Sequence, residues 1–304
     1  MVKSVNQLVT RKCNSKCNMC NIWRSKPISE LSLEEYDKLY SNSEFSEVED
    51  ICISGGEPTL RKDLPEIVNV ITSRLPKLKM FFLSTNCYDP ERVIKTLNQV
   101  GGIPEVYLVV SLEGTPETHK KIRGIDNYKT VLDTLDKAKE INYVKRLIST
   151  TLQKENCNNE DINYLENLAK ETNCDFTFRL ANKSNLFYKN LDKELNLNNS
   201  QKKIARKLIE ERASSDPFMN QLNLFLSKKE TIMGKANNLT CGAGSLTSFI
   251  DADGTIYPCI YNEQQIGDKK GFYKQKPNLK ATLHCPCCTE CQVYPKLNYG
   301  AKND

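Results

Sequence analysis

Long hydrophobic runs are missing from this chain. The longest, such as residues 106–110, fall far short of the roughly 20 apolar residues that cross a bilayer, so no membrane span is expected. Residues 1–10 also lack the apolar stretch and small-residue cleavage site of an export signal. Their alternation reads as a first strand, and a cytoplasmic location follows as an expectation. A concentration of one charge is missing too. Lys and Arg number 43 against 38 Asp and Glu, and the formal charge of +5 is spread over 304 residues. No basic stripe tracks the chain as a nucleic-acid footprint would, and pairs such as Lys202-Lys203 and Lys228-Lys229 read as solvated helix faces. Histidine is nearly absent, with only His119 and His284. His119 falls in a polar loop and carries no catalytic expectation.

Cysteine, by contrast, is abundant at 13 residues, and most of it clusters near the two ends of the chain. Disulfide scaffolds are typically small and secreted, which this chain is not, so thiols at metal-ligand spacing point to metal. Cys52, Cys87, Cys157 and Cys174 have no such spacing and read as small buried apolar residues.

Apolar, β-branched runs alternate with helical patterns along the first two thirds, the signature of βα units around a parallel sheet. Strands are expected near residues 4–10, 49–54, 78–84, 105–111, 143–151 and 174–180. Helices are expected from Ser32, where Glu35 completes a capping box, and near 64–74, 89–99, 128–140 and 158–171. The second strand runs into Gly55-Gly56-Glu57-Pro58, a tight turn that glycines permit. In a βα barrel such strand ends carry the chemistry. Residues 185–235 read as a charged, mostly helical connector. Beyond Cys241 there is too little apolar material for an independent core without a staple.

Cys13-Asn-Ser-Lys-Cys17-Asn-Met-Cys20 sets three thiols within eight residues, in the loop leaving the first strand. A [4Fe-4S] cluster has four irons, so three thiolates leave one iron open for a ligand that is not protein. A tetrahedral zinc site is the alternative. It needs four ligands, and neither histidine lies nearby in sequence.

CxxxCxxC after a first strand, GGEP after a second and six βα units in that order resemble the radical S-adenosylmethionine (radical SAM) superfamily over most of the chain. The resemblance implies a partial (β/α)6 TIM barrel over residues 1–215, a [4Fe-4S] cluster on Cys13, Cys17 and Cys20, and S-adenosylmethionine (SAM) chelated by the open iron. It also implies that Gly55, Gly56, Glu57 and Pro58 meet the methionine amino group through backbone carbonyls and the Glu57 carboxylate. Met19 stands where the family often has an aromatic residue beside adenine, and its sulfur can cover a ring face. Ser84 and Asn86 after strand three, and Ser111 after strand four, match polar positions near the ribose and methionine groups, with Thr150 and Thr151 as weaker matches. Arg123 matches an arginine that meets the cofactor carboxylate, a task suited to a permanently charged fork.

Cys241, the GxxxxC pair Gly254 and Cys259, and the run Cys285-Pro-Cys287-Cys288-Thr-Glu-Cys291 resemble the auxiliary-cluster modules called twitch and SPASM. A full SPASM module carries seven cysteines, and six are present here. The shorter twitch module fits better, with Cys241, Cys259 and Cys291 as ligands and Cys287 or Cys288 as the fourth. Residues 216–304 are then a connector and an auxiliary [4Fe-4S] domain. A structural zinc ribbon is the competing reading, since four thiolates also satisfy zinc.

The resemblance implies an enzyme that accepts an electron from a carrier such as flavodoxin or ferredoxin, cleaves SAM to a 5′-deoxyadenosyl radical and abstracts hydrogen from a substrate. A small molecule, oxidised with help from the auxiliary cluster, is the first expectation. A peptide or protein maturase is the second, disfavoured because the first cluster begins at residue 13 and leaves no room for an N-terminal peptide-binding domain. A non-catalytic metal-stapled binding protein is the third. Arg179 and Asn182, at the end of strand six, are candidate substrate contacts.

Overall fold

The computed structural model describes residues 1–212 and 243–272. Six parallel strands lie side by side in chain order: β1 (Ser4–Leu8), β2 (Asp50–Ser54), β3 (Met80–Thr85), β4 (Glu105–Ser111), β5 (Val144–Leu152) and β6 (Asp175–Leu180). Between and after them run α1 (Leu33–Tyr40), α2 (Leu64–Ser73), α3 (Pro90–Leu97), α4 (Pro116–Arg123), α5 (Tyr128–Lys139), α6 (Asn159–Glu171) and α7 (Asn199–Arg212). This is the expected α/β partial barrel, and each expected strand and helix is present with ends displaced by a few residues.

Burial alternates strictly along β3 and β4. On β4, Val106, Leu108 and Val110 are buried, whereas Tyr107, Val109 and Ser111 are half-buried. The buried set meets Leu39, Ile67, Val93 and Leu135 from the helices in one continuous core. Each such side chain contributes roughly 1.5–3 kcal/mol by leaving water. The other set faces the concave side, which stays partly open and polar.

Local signals start and stop the helices. Ser32 and Glu35 form both bonds of the capping box that opens α1. The helix α4 replaces the polar loop expected around His119. Its only buried residues are His119 and Ile122, too few for a readable apolar stripe. Thr115 caps its first turn, Pro116 sits where no amide partner is needed, and Gly124 ends it in the left-handed region at φ +62°.

The described residues 247–272 extend the sheet of the barrel. β7 (Thr247–Ile250) pairs in parallel with β1, from Ser4 opposite Thr247 to Gln7 opposite Ile250. The strands β8 (Ile256–Tyr257), β9 (Gly267–Asp268) and β10 (Gly271–Phe272) continue the sheet antiparallel. Without β7, β1 would expose an unpaired edge. The boundary expected between residues 215 and 216 lies outside the described residues. Among the described residues, no helix is long and apolar enough to cross a membrane.

Candidate active site at the mouth of the barrel

The cysteine loop leaves the C-terminal end of β1 and is stitched down on several sides. Lys16 and Asn18 donate their amides to the carbonyls of Arg123 and Ile122 at 2.9 and 2.8 Å, and Asn21 donates to Tyr188 at 2.7 Å. Cys20 donates to the Cys17 carbonyl at 3.2 Å, while the Ile22 amide donates to Cys20 Sγ at 3.4 Å. The thiols of Cys13, Cys17 and Cys20 lie close enough to influence one another. Burial pushes Cys13 and Cys20 up to about 12 and raises Cys17 as well. These thiolates therefore need a compensating positive charge, which bound metal supplies. Among the described residues, no three His, Cys, Asp or Glu side chains converge to hold a single ion. A cluster does not require that convergence, because each thiolate meets a different iron.

The GGEP turn is pressed against this loop. Gly56 donates to the Thr10 carbonyl and Glu57 to the Lys12 carbonyl, both at 2.8 Å. A Cβ on Gly55 would stand 2.7 Å from the Thr10 oxygen, and one on Gly56 2.2 Å from that of Lys12. Backbone contact this close admits only glycine.

Glu57 is fully buried and accepts four bonds from its own chain. Oε1 takes the Thr59 amide at 3.0 Å, Thr59 Oγ1 at 2.6 Å and Thr85 Oγ1 at 2.7 Å, and Oε2 takes the Asn86 amide at 2.6 Å. It ties the end of β2 to the end of β3. Pro58, also buried, opens the short turn that follows.

A buried polar belt continues from there beneath the loop. Asn86 Nδ2 donates to Asn14 Oδ1 and Ser15 Oγ, and the Asn86 carbonyl accepts from Asn127 Nδ2. His119 Nε2 donates to Asn127 Oδ1 at 3.0 Å, and its Nδ1 accepts the Glu113 amide at 3.2 Å, so the imidazole is neutral in this geometry. Burial, then the nearby Arg123 charge, lowers its pKa to about 4. Glu113 Oε1 accepts from Arg123 Nη1 at 3.2 Å; its Oε2 accepts from Thr150 Oγ1 at 3.1 Å and the Thr151 amide at 2.8 Å. Burial pushes the Glu113 carboxyl up, and Arg123 opposes that push. Burial works against the Arg123 charge, but Cys17, Glu113, Cys13 and Glu57 together raise its pKa further.

Two buried donors in this region, Asn14 Nδ2 and Arg123 Nε, have no hydrogen-bond partner among the described residues. Both belong to the cluster loop or its support. A metal cluster carrying an anionic ligand suits them, and with the three neighbouring thiols, Cys17 buried and Cys13 and Cys20 half-buried, the residues present fit a [4Fe-4S] cluster and SAM.

The other expected positions surround the mouth. Ser84 and Ser111, on β3 and β4, are half-buried on the concave face. Met19 is buried, with Gln153 Nε2 3.8 Å from its sulfur. Arg179 is exposed and lies opposite Thr151 at the top of β6; Asn182 is half-buried, and its carbonyl accepts from Asn190 Nδ2 at 2.9 Å. Cys259 is buried just after β8. Its neighbour Ile260 shares an apolar cluster with Leu8 and Phe249, and Cys13 and Cys20 pack against that cluster. Cys241, Cys285, Cys287, Cys288 and Cys291 lie outside the described residues. Of the cysteines read as buried, Cys87 and Cys157 are buried, while Cys52 and Cys174 are half-buried.

Sequence reasoning missed Glu113, Asn127, Asn156 and the burial of His119. Asn156 donates to the Glu113 carbonyl at 2.9 Å. One signal was available: Glu113 lies between a strand end and the arginine-bearing α4, where an acidic residue has a basic partner within reach.

Three comparisons bear on this site. The family described as Radical SAM superfamily matches residues 8–162. A GTP 3',8-cyclase of Haemophilus ducreyi is 35% identical over 151 residues, 48% of this chain and 44% of that protein. The sporulation killing factor maturation protein SkfB of Bacillus subtilis is 28% identical over 150 residues, 49% of this chain and 35% of that protein. The chain thus spans less than half the length of these curated relatives. Among solved structures, Streptococcus suis SuiB bound to S-adenosylmethionine superposes with a TM-score of 0.62 at 16% identity, covering 87% of this chain and 63% of SuiB. Native anSMEcpe with bound AdoMet and Kp18Cys peptide gives a TM-score of 0.60 at 18% identity, covering 88% and 78%. At these identities the structures speak for the fold alone.

Proposed function

The chain belongs to the radical SAM superfamily, and from that premise we propose that Cys13, Cys17 and Cys20 hold its [4Fe-4S] cluster, and that it removes a hydrogen atom from a polar substrate lying on the concave face of the barrel. When bound, the cluster and SAM supply an electron and a 5′-deoxyadenosyl radical able to take hydrogen from an unactivated carbon.

The chain's own residues bind, orient and shield. Gly55 and Gly56 let the GGEP turn approach the cysteine loop, and Glu57 fixes that turn to β3. Arg123, held by Glu113, offers its Nε to the cofactor carboxylate, which is the role the family pattern gives it. Met19, Ser84, Asn86 and Ser111 flank the adenosine side. Packing of Leu8, Ile22 and Phe249 around Cys13 and Cys20 keeps water from the cluster.

One observation carries the polar-substrate reading. Ser54, Ser84, Ser111, Ser149, Thr177 and Arg179 alternate onto the concave face near the C-terminal ends of their strands, and none faces the helix-side core. Such a surface suits a hydrogen-bonding small molecule with an anionic group for Arg179. A peptide is the second reading, favoured by the 28% identity to SkfB, a maturation protein. The C-terminal cysteines, Cys259 with Cys241, Cys291 and Cys287 or Cys288, hold a second cluster in either case.

Anaerobic reconstitution followed by dithionite and SAM tests the reading. 5′-Deoxyadenosine forms if it is right. A preparation with full iron and sulfide that yields none refutes it.

A further inference from the structure

We propose that the outer face of the cysteine loop is the docking surface for an acidic one-electron carrier protein, centred on Trp23 between Lys16 and Arg24. The inference rests on the reading that Cys13, Cys17 and Cys20 hold a redox cluster, which must receive its electrons from outside the chain.

Charge points there first. Over the whole chain the net charge is small, but residues 11–26 carry Arg11, Lys12, Lys16, Arg24 and Lys26 and no Asp or Glu. Lys12, Lys16, Arg24 and Lys26 are exposed. The adjoining end of α4 adds Lys120 and Lys121, both exposed, because Lys16 and Asn18 are bonded to Arg123 and Ile122. Three carboxylates answer: Asp251 pairs with Arg11, Glu30 lies 3.6 Å from Lys12 and Asp126 lies 2.8 Å from Lys120, which leaves Lys16, Arg24, Lys26 and Lys121 to carry the positive face. Solvated lysines alone would not mark a binding surface.

Trp23 is the second observation. It is half-buried, its indole N–H donates to the Cys20 carbonyl at 3.2 Å, and Arg24 and Lys16 lie 4.6 and 5.8 Å from the ring centroid. A tryptophan flanked by cations has the composition of an interface centre, where Trp and Arg are enriched. Here that centre touches a proposed cluster ligand through one hydrogen bond. The net positive field around it would steer an acidic partner toward the cluster and accelerate encounter at low salt.

The test mixes the reconstituted full-length enzyme with an acidic flavodoxin in its hydroquinone form and follows bleaching of the cluster absorbance. Wild type should be reduced quickly, and more slowly as salt rises from about 50 to about 300 mM, where screening shortens the reach of the field. The variant Lys16→Glu/Arg24→Glu should lose on the order of tenfold in that rate and most of its salt dependence. Its bleaching by dithionite, which needs no docking, should match wild type and so report an intact cluster. Lys26→Glu/Lys121→Glu, farther from the loop's own bonds, should show a smaller loss of the same kind. Equal flavodoxin-driven rates in wild type and K16E/R24E would overturn the proposal, as would a wild-type cluster bleached by dithionite and untouched by flavodoxin. Cluster reduction is read separately from SAM cleavage. Failure to form 5′-deoxyadenosine would therefore refute the proposed function alone, and a chain that assembles no cluster would refute both.

Discussion

Glu113 and Arg123 form a buried ion pair across 3.2 Å, with 1% of the Glu113 side chain and 11% of the Arg123 side chain exposed. Glu113 comes from the loop after β4 and Arg123 from the last turn of α4, whose carbonyls hold the cysteine loop. The pair therefore couples the sheet to the cluster loop through one helix.

Removing the acid should be costly. Glu113→Ala leaves the Arg123 charge buried without its partner and should destabilise the fold by about 3–5 kcal/mol. Glu113→Gln, which keeps an acceptor for Arg123, should lose less. Urea denaturation measures both, and an unchanged midpoint in the alanine variant would contradict the account.

Stability should also depend on pH through His119. Its pKa is near 6.5 when unfolded and about 4 when folded, so between these values the unfolded chain binds the extra proton. The contribution is fully present above pH 6.5 and is lost as pH falls toward 4, amounting to about 3 kcal/mol. Denaturation midpoints at pH 5 and pH 7 in wild type and His119→Gln check this. The variant should show the shallower dependence, and equal slopes would show that the imidazole is not held neutral.

Backbone contact at the GGEP turn predicts a loss of iron. Gly56→Ala places a Cβ against the Lys12 carbonyl and must displace the cysteine loop, whereas Gly102→Ala meets nothing within 4 Å. Iron and sulfide analysis after reconstitution should find less cluster in G56A than in G102A. Equal loading would show that the loop tolerates the shift.

The legibility of these features followed their range. Strand alternation, the Ser32–Glu35 cap and the cysteine spacing are local, and the sequence displayed all three plainly. The helix α4 was hidden because it buries only His119 and Ile122, so its surface reads as a loop. The partners of Glu57 were hidden for a different reason. Besides Thr59 beside it, its carboxylate accepts from Thr85 and Asn86, nearly thirty residues away, and no spacing rule reports a partner at that distance. The pairing of β7 with β1 joins residues more than 240 apart in sequence and was equally out of reach.

The most direct test of the central claim is the paramagnetic spectrum of the dithionite-reduced enzyme with and without SAM, in wild type and in Cys13→Ala/Cys17→Ala/Cys20→Ala. Three thiolates leaving one iron open predict a wild-type signal that changes when SAM binds, and the absence of that SAM-sensitive signal from the triple variant. A wild-type spectrum indifferent to SAM, or a SAM-sensitive signal that survives loss of the three cysteines, would contradict the account.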